Sequence, residues 1–262
     1  MEDARALLYL AESVVDEAEQ VFSEGLGASP SKMKNPGDFA TEMDMRIENL
    51  LRSKLADATS IPVLGEEQGG GYNMDAVWVV DPIDGTSNYA AGNPMCAILV
   101  SLVVDDQPIL AITSMPMLHR RLCAWEDSPV FCNGEPLEPL FDRMPLVTQI
   151  GFSSVQPPAK SPYTAPMRQN LLSELATGSL RPRITGSVGV DLAFAAQGIF
   201  DGAISFSPFM WDNAAGAMLV RAAGGVVTDI EGNPWTPRST GVIAGTPAAH
   251  ESIMRTIEEI LH

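Results

Sequence analysis

An apolar run, Ala76 to Val80, ends on Asp81 and then, past one proline and one isoleucine, on Asp84. AVWVVD reads as a strand apolar enough to be buried, so both carboxylates stand where a buried strand opens into a tight turn, GTSN. Taken alone, Asp84-Gly85 is an ordinary turn. Taken as a pair, the two acids constrain the fold strongly. Like charges in a partly dry place repel, and one takes up a proton unless a cation lies between them.

Three other places put carboxylates at element ends: Asp38 and Asp44 in DFATEMD, Glu66 and Glu67 in GEEQGG, and Asp212 in WDNAAG. Each singly has a structural reading, since an acid at a helix start caps free backbone N–H groups. Together they form a set of oxygen donors. The chain holds only three histidines (His119, His250, His262) and three cysteines (Cys96, Cys123, Cys132), scattered and without metal-finger spacing. That inventory disfavours zinc, copper and a serine–histidine hydrolase, and suits a hard cation such as magnesium. Magnesium takes few carboxylates and keeps positions for water and substrate phosphate. The cysteines read as free thiols of a reducing compartment.

The formal net charge is −17, from 33 acids against 16 bases, which argues against nucleic acid as a partner. An anionic substrate would need local positive charge, which bound metals supply. Gly85-Thr86-Ser87 brings backbone N–H groups together where glycine leaves room. Gly186-Ser187 precedes a helix running to about Gln197, stopped by Gly198, and that helix start is a second seat for an anion. No apolar run is long enough to cross a bilayer. The N-terminal segment carries acids throughout its apolar pattern, unlike a signal peptide. A soluble, cytoplasmic protein without a membrane partner is expected.

The periodicity predicts helices over 3–22 and 41–57, with a Gly/Pro/Lys-rich loop over 25–38 between them. Strands follow at 61–65, 76–81, 96–104 and 108–117, then at RLCAW and PVFCNG, with hairpin turns at VVDDQP and NGE. In the second half VTQIGF, RPRITG, DGAISF, GVVTDI and GVIAG read as strands. SVGVDLAFAAQG, WDNAAGAMLVRAAGG and 247–261 read as helices. The first half is expected to be α+β and the second α/β, with a boundary near 142 dividing 1–142 from 143–262.

GEE at 65–67, WVVDPIDGTSNY at 78–89 and WDNAAGAMLVRAAGGVV at 211–227 resemble the inositol monophosphatase family of magnesium-dependent, lithium-sensitive phosphatases. DFATEMD and GSVGVDLAF fit as well. The resemblance covers nearly the whole chain in the family's order, and the actinobacterial members are the most similar. It implies a layered αβαβα sandwich, commonly a homodimer. It implies two or three Mg2+ ions, with Mn2+ as a substitute and Li+ as an inhibitor. Glu66, Asp81, the Ile83 carbonyl, Asp84 and Asp212 match metal ligands. Asp44 and Thr86 match the pair that orients or deprotonates the attacking water, and Glu66 counts with them as catalytic. Gly85, Thr86, Gly186, Ser187, Asp84 and Asp212 match positions around the substrate, a small phosphorylated polyol or sugar.

The implied reaction is hydrolysis of inositol monophosphate by a metal-activated water. Many inositol-specific members carry a glutamate a few residues before the WD motif, and Ser205 falls near that place here. Fructose 1,6-bisphosphate, 3′-phosphonucleotides and histidinol phosphate are the rival substrates. A regulatory relative that binds a macromolecular partner is the rival from another class. A calcium module is disfavoured because no EF-hand spacing is present. Lys34 reads as a solvated surface lysine, with an approach to the phosphate as the alternative. Asp191 reads as bonded to a neighbouring main chain, with a reach to the substrate as the alternative. Trp78, Met95 and Cys96 read as core.

Overall fold

The 3.6-residue periods of the first two helices are realised in the computed structural model, which describes residues 4–35, 38–72, 75–142, 148–157 and 161–261. Helix α1 (Ala4–Glu24) buries Leu7, Leu8, Ala11, Val14, Val15, Ala18 and Phe22 along one stripe. The segment expected to be a loop instead forms an antiparallel ribbon, β1 (Pro30–Asn35) with β2 (Asp38–Thr41). Proline and lysine do not bar a two-stranded edge ribbon, because half of its backbone groups face away from the partner. Residues 36 and 37 and the Asp38 side chain lie outside the described residues.

Helix α2 (Glu42–Thr59) starts on a capping box: the Thr41 hydroxyl accepts from Met43 N–H, and Asp44 accepts from Thr41 N–H. It ends on Ser60 in the left-handed region. Strands β3 (Val63–Gly65) and β4 (Ala76–Asp84) are parallel neighbours. A short helix α3 (Thr86–Ala91), absent from the sequence reading, follows β4 directly. Strands β5 (Ala97–Val104), β6 (Gln107–Met115), β7 (Arg120–Trp125), β8 (Phe131–Cys132) and β9 (Glu135–Pro136) then run antiparallel. Strands β3 to β9 form one seven-stranded sheet in sequence order.

Strand β10 (Thr148–Phe152) opens the second half. Helix α4 (Ala165–Thr177) also lacks a sequence signal, for it buries only Arg168, Leu171 and Leu175, a stripe too narrow to show as a hydrophobic period. Strand β11 (Leu180–Arg183), helix α5 (Val188–Ala196), strand β12 (Gly202–Ser205) and helix α6 (Met210–Ala222) follow. Strands β13 (Val226–Thr228) and β14 (Val242–Gly245) and helix α7 (Pro247–Leu261) complete the chain. The second sheet has the order β11-β10-β12-β14-β13. Its β10 pairs are parallel and its β14 pairs antiparallel.

The layers are αβαβα. Helices α1 and α2 cover one face of the large sheet, around Leu51, Trp78 and Ile112. Helices α5 and α6 lie between the two sheets, around Leu99, Leu192 and Leu219. Helices α4 and α7 cover the outer face of the small sheet. The boundary expected near 142 adjoins residues 143–147, which lie outside the described residues. Trp78 and Cys96 are fully buried and Met95 half-buried. All three cysteines are free thiols.

One buried cation fastens the second half. Arg168 is 1% exposed. Its guanidinium donates to the carbonyls of Tyr163 (3.1 Å), Ser154 (2.8 Å) and Gln156 (3.4 Å) and to Ser161 Oγ (2.6 Å). It lies 4.6 Å from the Phe206 ring centroid. Burial lowers its pKa to about 10, so it stays charged at neutral pH. Arg168→Leu leaves those carbonyls unpaired in a dry place and should cost about 3 kcal/mol. The check is a drop in the denaturation midpoint with an unchanged m-value.

Candidate active site

The end of β4 explains how two acids share one cavity. Asp81 pairs with Leu99 and Asp84 with Ala97, so β4 carries one more residue than β5 across that interval. Pro82, which has no N–H to lose, sits in this bulge. The bulge takes Ile83 out of regular pairing. Its N–H donates to Asp81 Oδ1 (3.0 Å), and its carbonyl accepts from Thr86 Oγ1 (3.0 Å). Gly85 follows at φ 84°, and a Cβ there would lie 2.9 Å from the Met95 carbonyl oxygen, so only glycine fits the turn.

The helices between the sheets supply the rest. Asp84 Oδ2 accepts from the Ser187 hydroxyl and from Gly189 N–H (2.6 Å) at the start of α5. The helix start expected to seat an anion thus holds a carboxylate of the protein itself. Asp212 is the third residue of α6 and is bonded by Ser207. Behind it, Asn213 Nδ2 donates to the carbonyls of Ser207 and Phe209, both at 2.9 Å, and fixes the approach to α6. Glu66 comes from the turn after β3. That turn is cradled by buried Glu48, which accepts from the N–H groups of Glu67 (2.7 Å) and Gln68 (3.0 Å). Arg52 holds Glu48 (3.0 Å) and the carbonyls of Val63 (2.6 Å) and Gly69 (2.7 Å).

Glu66, Asp81, Ile83, Asp84, Gly85, Thr86, Ser87, Gly186 and Asp212 line one cavity of about 210 Å³, together with Phe39 of β2. Asp44 and Ser187 reach it through partners. Asp44 Oδ1 accepts from Thr86 Oγ1 (3.2 Å) while its Oδ2 is held by Thr41 N–H (2.7 Å) and Thr41 Oγ1 (2.6 Å). Ser187 stands behind Asp84.

Lys34 is not a solvated lysine. Its ammonium lies 2.7 Å from Glu66 Oε1 and also pairs with Glu67, whose side chain is fully buried. Burial works to lower the Lys34 pKa, but the Glu66 charge and the bonds to both glutamates outweigh it and hold it above its ordinary value. The carboxylates respond to dryness and to each other. Burial pushes Glu66 up to about 7 against the pull of Lys34, and Asp84 up to about 6 against its bonds to α5. Asp81 and Asp212 are pushed well up by burial and then by the Glu66 and Asp84 charges. Burial raises Asp44 too, opposed by Thr41 and Thr86.

This donor set fits a hard divalent cation. Its side chains are carboxylates, joined by a carbonyl, and their mutual repulsion is what a cation relieves. Among the described residues no three acidic, histidine or cysteine side chains are close enough to hold an ion unaided.

A pH dependence follows. Folded carboxyls that keep protons to about pH 6–7 bind more protons than the unfolded chain, whose carboxyls titrate near pH 4. Stability of metal-free protein is therefore expected to fall as pH rises from about 4 through about 7. Protons compete with a cation for the same oxygens, so an added hard divalent cation should raise the melting temperature little near pH 5 and most near pH 8. Melts in chelator and in magnesium across that range check both slopes.

The sequence model of the inositol monophosphatase family matches residues 3–262. The chain belongs to the inositol monophosphatase family. A Mycobacterium tuberculosis relative named "Probable inositol 1-monophosphatase ImpA" is 42% identical, covering 97% of this chain and 94% of that protein. An Aquifex aeolicus relative named "Fructose-1,6-bisphosphatase/inositol-1-monophosphatase" is 28% identical, covering 100% of this chain and 98% of that one. The crystal structure of the extragenic suppressor protein suhB from Bartonella henselae superposes with a TM-score of 0.87 at 26% identity. It covers 97% of this chain and 98% of that one.

Membership makes this inositol monophosphatase relative a metal-dependent phosphatase with a mixed α/β sandwich. Among the described residues no helix is long and apolar enough to cross a membrane. Sequence reasoning missed three supports of the site: the Lys34 pair, the Glu48–Arg52 cradle and the Ser187–Asp84 bond. Only Glu48–Arg52 left a local trace, an acid four residues before a base on one helix. Asp191 departs from the expected main-chain bond: its Oδ1 accepts from the Thr185 hydroxyl at 2.7 Å.

Proposed function

We propose that this family member is a magnesium-dependent phosphomonoesterase that hydrolyses inositol monophosphate to inositol and phosphate. The observation that carries this reading is the convergence of Glu66, Asp81, Asp84 and Asp212, with the Ile83 carbonyl, on one cavity. These five are the proposed metal ligands, for two or three Mg2+ with Mn2+ as a substitute and Li+ as an inhibitor. Bound there, magnesium would acidify a water and draw charge from the phosphate oxygens.

The chain's own residues supply orientation and proton transfer. Thr86 Oγ1 lies within reach of both Asp44 Oδ1 and the Ile83 carbonyl. It can accept a proton from the attacking water while passing its own to Asp44. Asp44 holds its place because its other oxygen is bound into the α2 cap. Gly85, Thr86 and Gly186, with Asp84 and Asp212, surround the substrate, and Ser187 supports Asp84 from behind. Gly186 is required by its turn, since it sits at φ 86° and a Cβ would lie 3.0 Å from Asn88 Nδ2. In-line attack forms the new P–O bond as the ester P–O bond breaks, and the leaving inositol oxygen takes up a proton from water. The protein works in the cytoplasm as a homodimer, without nucleic acid or membrane.

One observation favours a second substrate. Ser205 is buried on β12 and accepts from Ser207 N–H (3.1 Å), so it offers no carboxylate to an inositol hydroxyl. The Aquifex relative's printed name couples inositol 1-phosphate with fructose 1,6-bisphosphate. The test is phosphate release from inositol 1-phosphate, fructose 1,6-bisphosphate, a 3′-phosphonucleotide and histidinol phosphate, with and without magnesium. Fastest release from inositol 1-phosphate supports the reading. Faster release from another substrate renames the enzyme. No release from any of the four rejects the catalytic reading in favour of partner binding.

A further inference from the structure

A buried acid outside the cavity is tied to it by a short chain of hydrogen bonds. Asp191, on the first turn of α5, is 2% exposed and packs against Gly151 of β10. Its Oδ1 meets Thr185 Oγ1 at 2.7 Å, and its Oδ2 is buried without a hydrogen-bond partner among the described residues. Thr185 Oγ1 in turn accepts from Ser187 N–H (3.2 Å) and lies 3.1 Å from the Ser187 carbonyl oxygen. Ser187 Oγ reaches Asp84 Oδ2. Asn88 Nδ2 holds the Thr185 carbonyl at 2.8 Å, so the turn is fastened from both sides.

An acid in the first helical turn also favours the helix dipole. That role is best filled on the surface, where both oxygens keep water. A buried carboxyl with one orphan oxygen is costly, and an apolar residue would fill the space against Gly151 more cheaply. Resting on the reading of this cavity as a phosphate site, we propose that Asp191 is a positioning residue. Through Thr185 it sets the Gly186–Ser187 turn, and through Ser187 it sets the orientation of Asp84.

Proton counting makes the claim specific. Thr185 has one hydroxyl proton and two acceptors in reach. If the Asp191 carboxyl carries a proton and donates it to Thr185 Oγ1, the Thr185 proton is free for the Ser187 carbonyl. The Ser187 carbonyl, which already accepts from Asp191 N–H (3.2 Å), then gains a second donor, while Asp191 Oδ2 stays without a partner among the described residues. Burial, the largest influence on this carboxyl, favours that neutral form. An asparagine amide can donate in the same place, whereas leucine cannot.

The test compares Asp191→Asn and Asp191→Leu, with Thr185→Ser and Thr185→Val, in the full chain. It reads kcat and KM for inositol 1-phosphate, and calorimetric binding of magnesium and of inorganic phosphate. Asp191→Leu and Thr185→Val are expected to weaken magnesium and phosphate binding and raise KM by about 10-fold or more, as supports of metal ligands do. Asp191→Asn and Thr185→Ser should stay within about 2-fold of the parent, since each keeps the hydrogen bond. Parent-like binding in the folded Leu and Val variants overturns the proposal, as does an Asn variant as weak as the Leu one. If Asp191→Leu does not fold, Thr185→Val decides, because Thr185 is only half-buried. A parent that binds magnesium and phosphate but hydrolyses nothing refutes the phosphatase reading and leaves this one to the binding data.

Discussion

Asp84→Asn is expected to reduce phosphate release by about a thousandfold or more while the protein stays folded, because charge complementary to the reacting groups is lost from a dry site. The two parts of that expectation have different causes. Asp84 Oδ2 accepts from Ser187 and from Gly189 N–H, and an asparagine carbonyl oxygen can accept the same two bonds. Its amide NH2 then occupies the other position, so a donor replaces an acceptor and the negative charge is gone. Nothing in the hydrogen bonding to α5 need break. The crowd of carboxylates also loses one member, so in chelator the variant should melt no lower than the parent. Magnesium should raise the melting temperature of the parent and not of the variant. Melts in both conditions, beside the activity assay, separate loss of the site from loss of the fold.

Thr86→Val should lower kcat by about 10²- to 10³-fold, the range for removing a positioned proton acceptor. Its KM and its magnesium affinity should change little. Thr86 stands at the cavity wall with Asp44 behind it, and the hydroxyl is the link between Asp44 and the cavity. Valine keeps the shape and β-branching, so α3 should form as before. Thr86→Ser keeps the hydroxyl and should retain most of the activity. The kcat-against-KM split matters here, because a site merely distorted by valine would raise KM and weaken magnesium binding too.

Much of this was legible in the chain itself, for reasons that differ by element. β4 announces itself because two acids and a proline interrupt an apolar run. α1 and α2 follow from one-sided burial at helical spacing, and α5 begins where Gly186 and Ser187 place a turn and a cap. The ribbon β1–β2 gives no strand signal because its stability comes from pairing, not from an apolar face. α4 was invisible because its first buried residue is an arginine whose partners lie in a neighbouring loop.

Within the site, the acids could be read and their supports could not. Ser187 and Asp84 are 103 residues apart, and Lys34 and Glu66 are 32 apart. Such pairs are set by how layers stack, which no local period encodes. The same holds for Asp191, expected to bond a neighbouring main chain, whose bond to Thr185 and packing on Gly151 depend on how α5 meets β10. Lys34 is the sharpest case. A lysine in a polar segment reads as solvated, yet the ribbon brings it onto two glutamates.

The most direct test of the central claim titrates Mg2+ into metal-stripped protein, following calorimetric binding and phosphate release from inositol 1-phosphate over the same concentrations. The account predicts that both rise together and that both are lost in Asp84→Asn. Full phosphate release in chelator, or magnesium binding unchanged by Asp84→Asn, would contradict it.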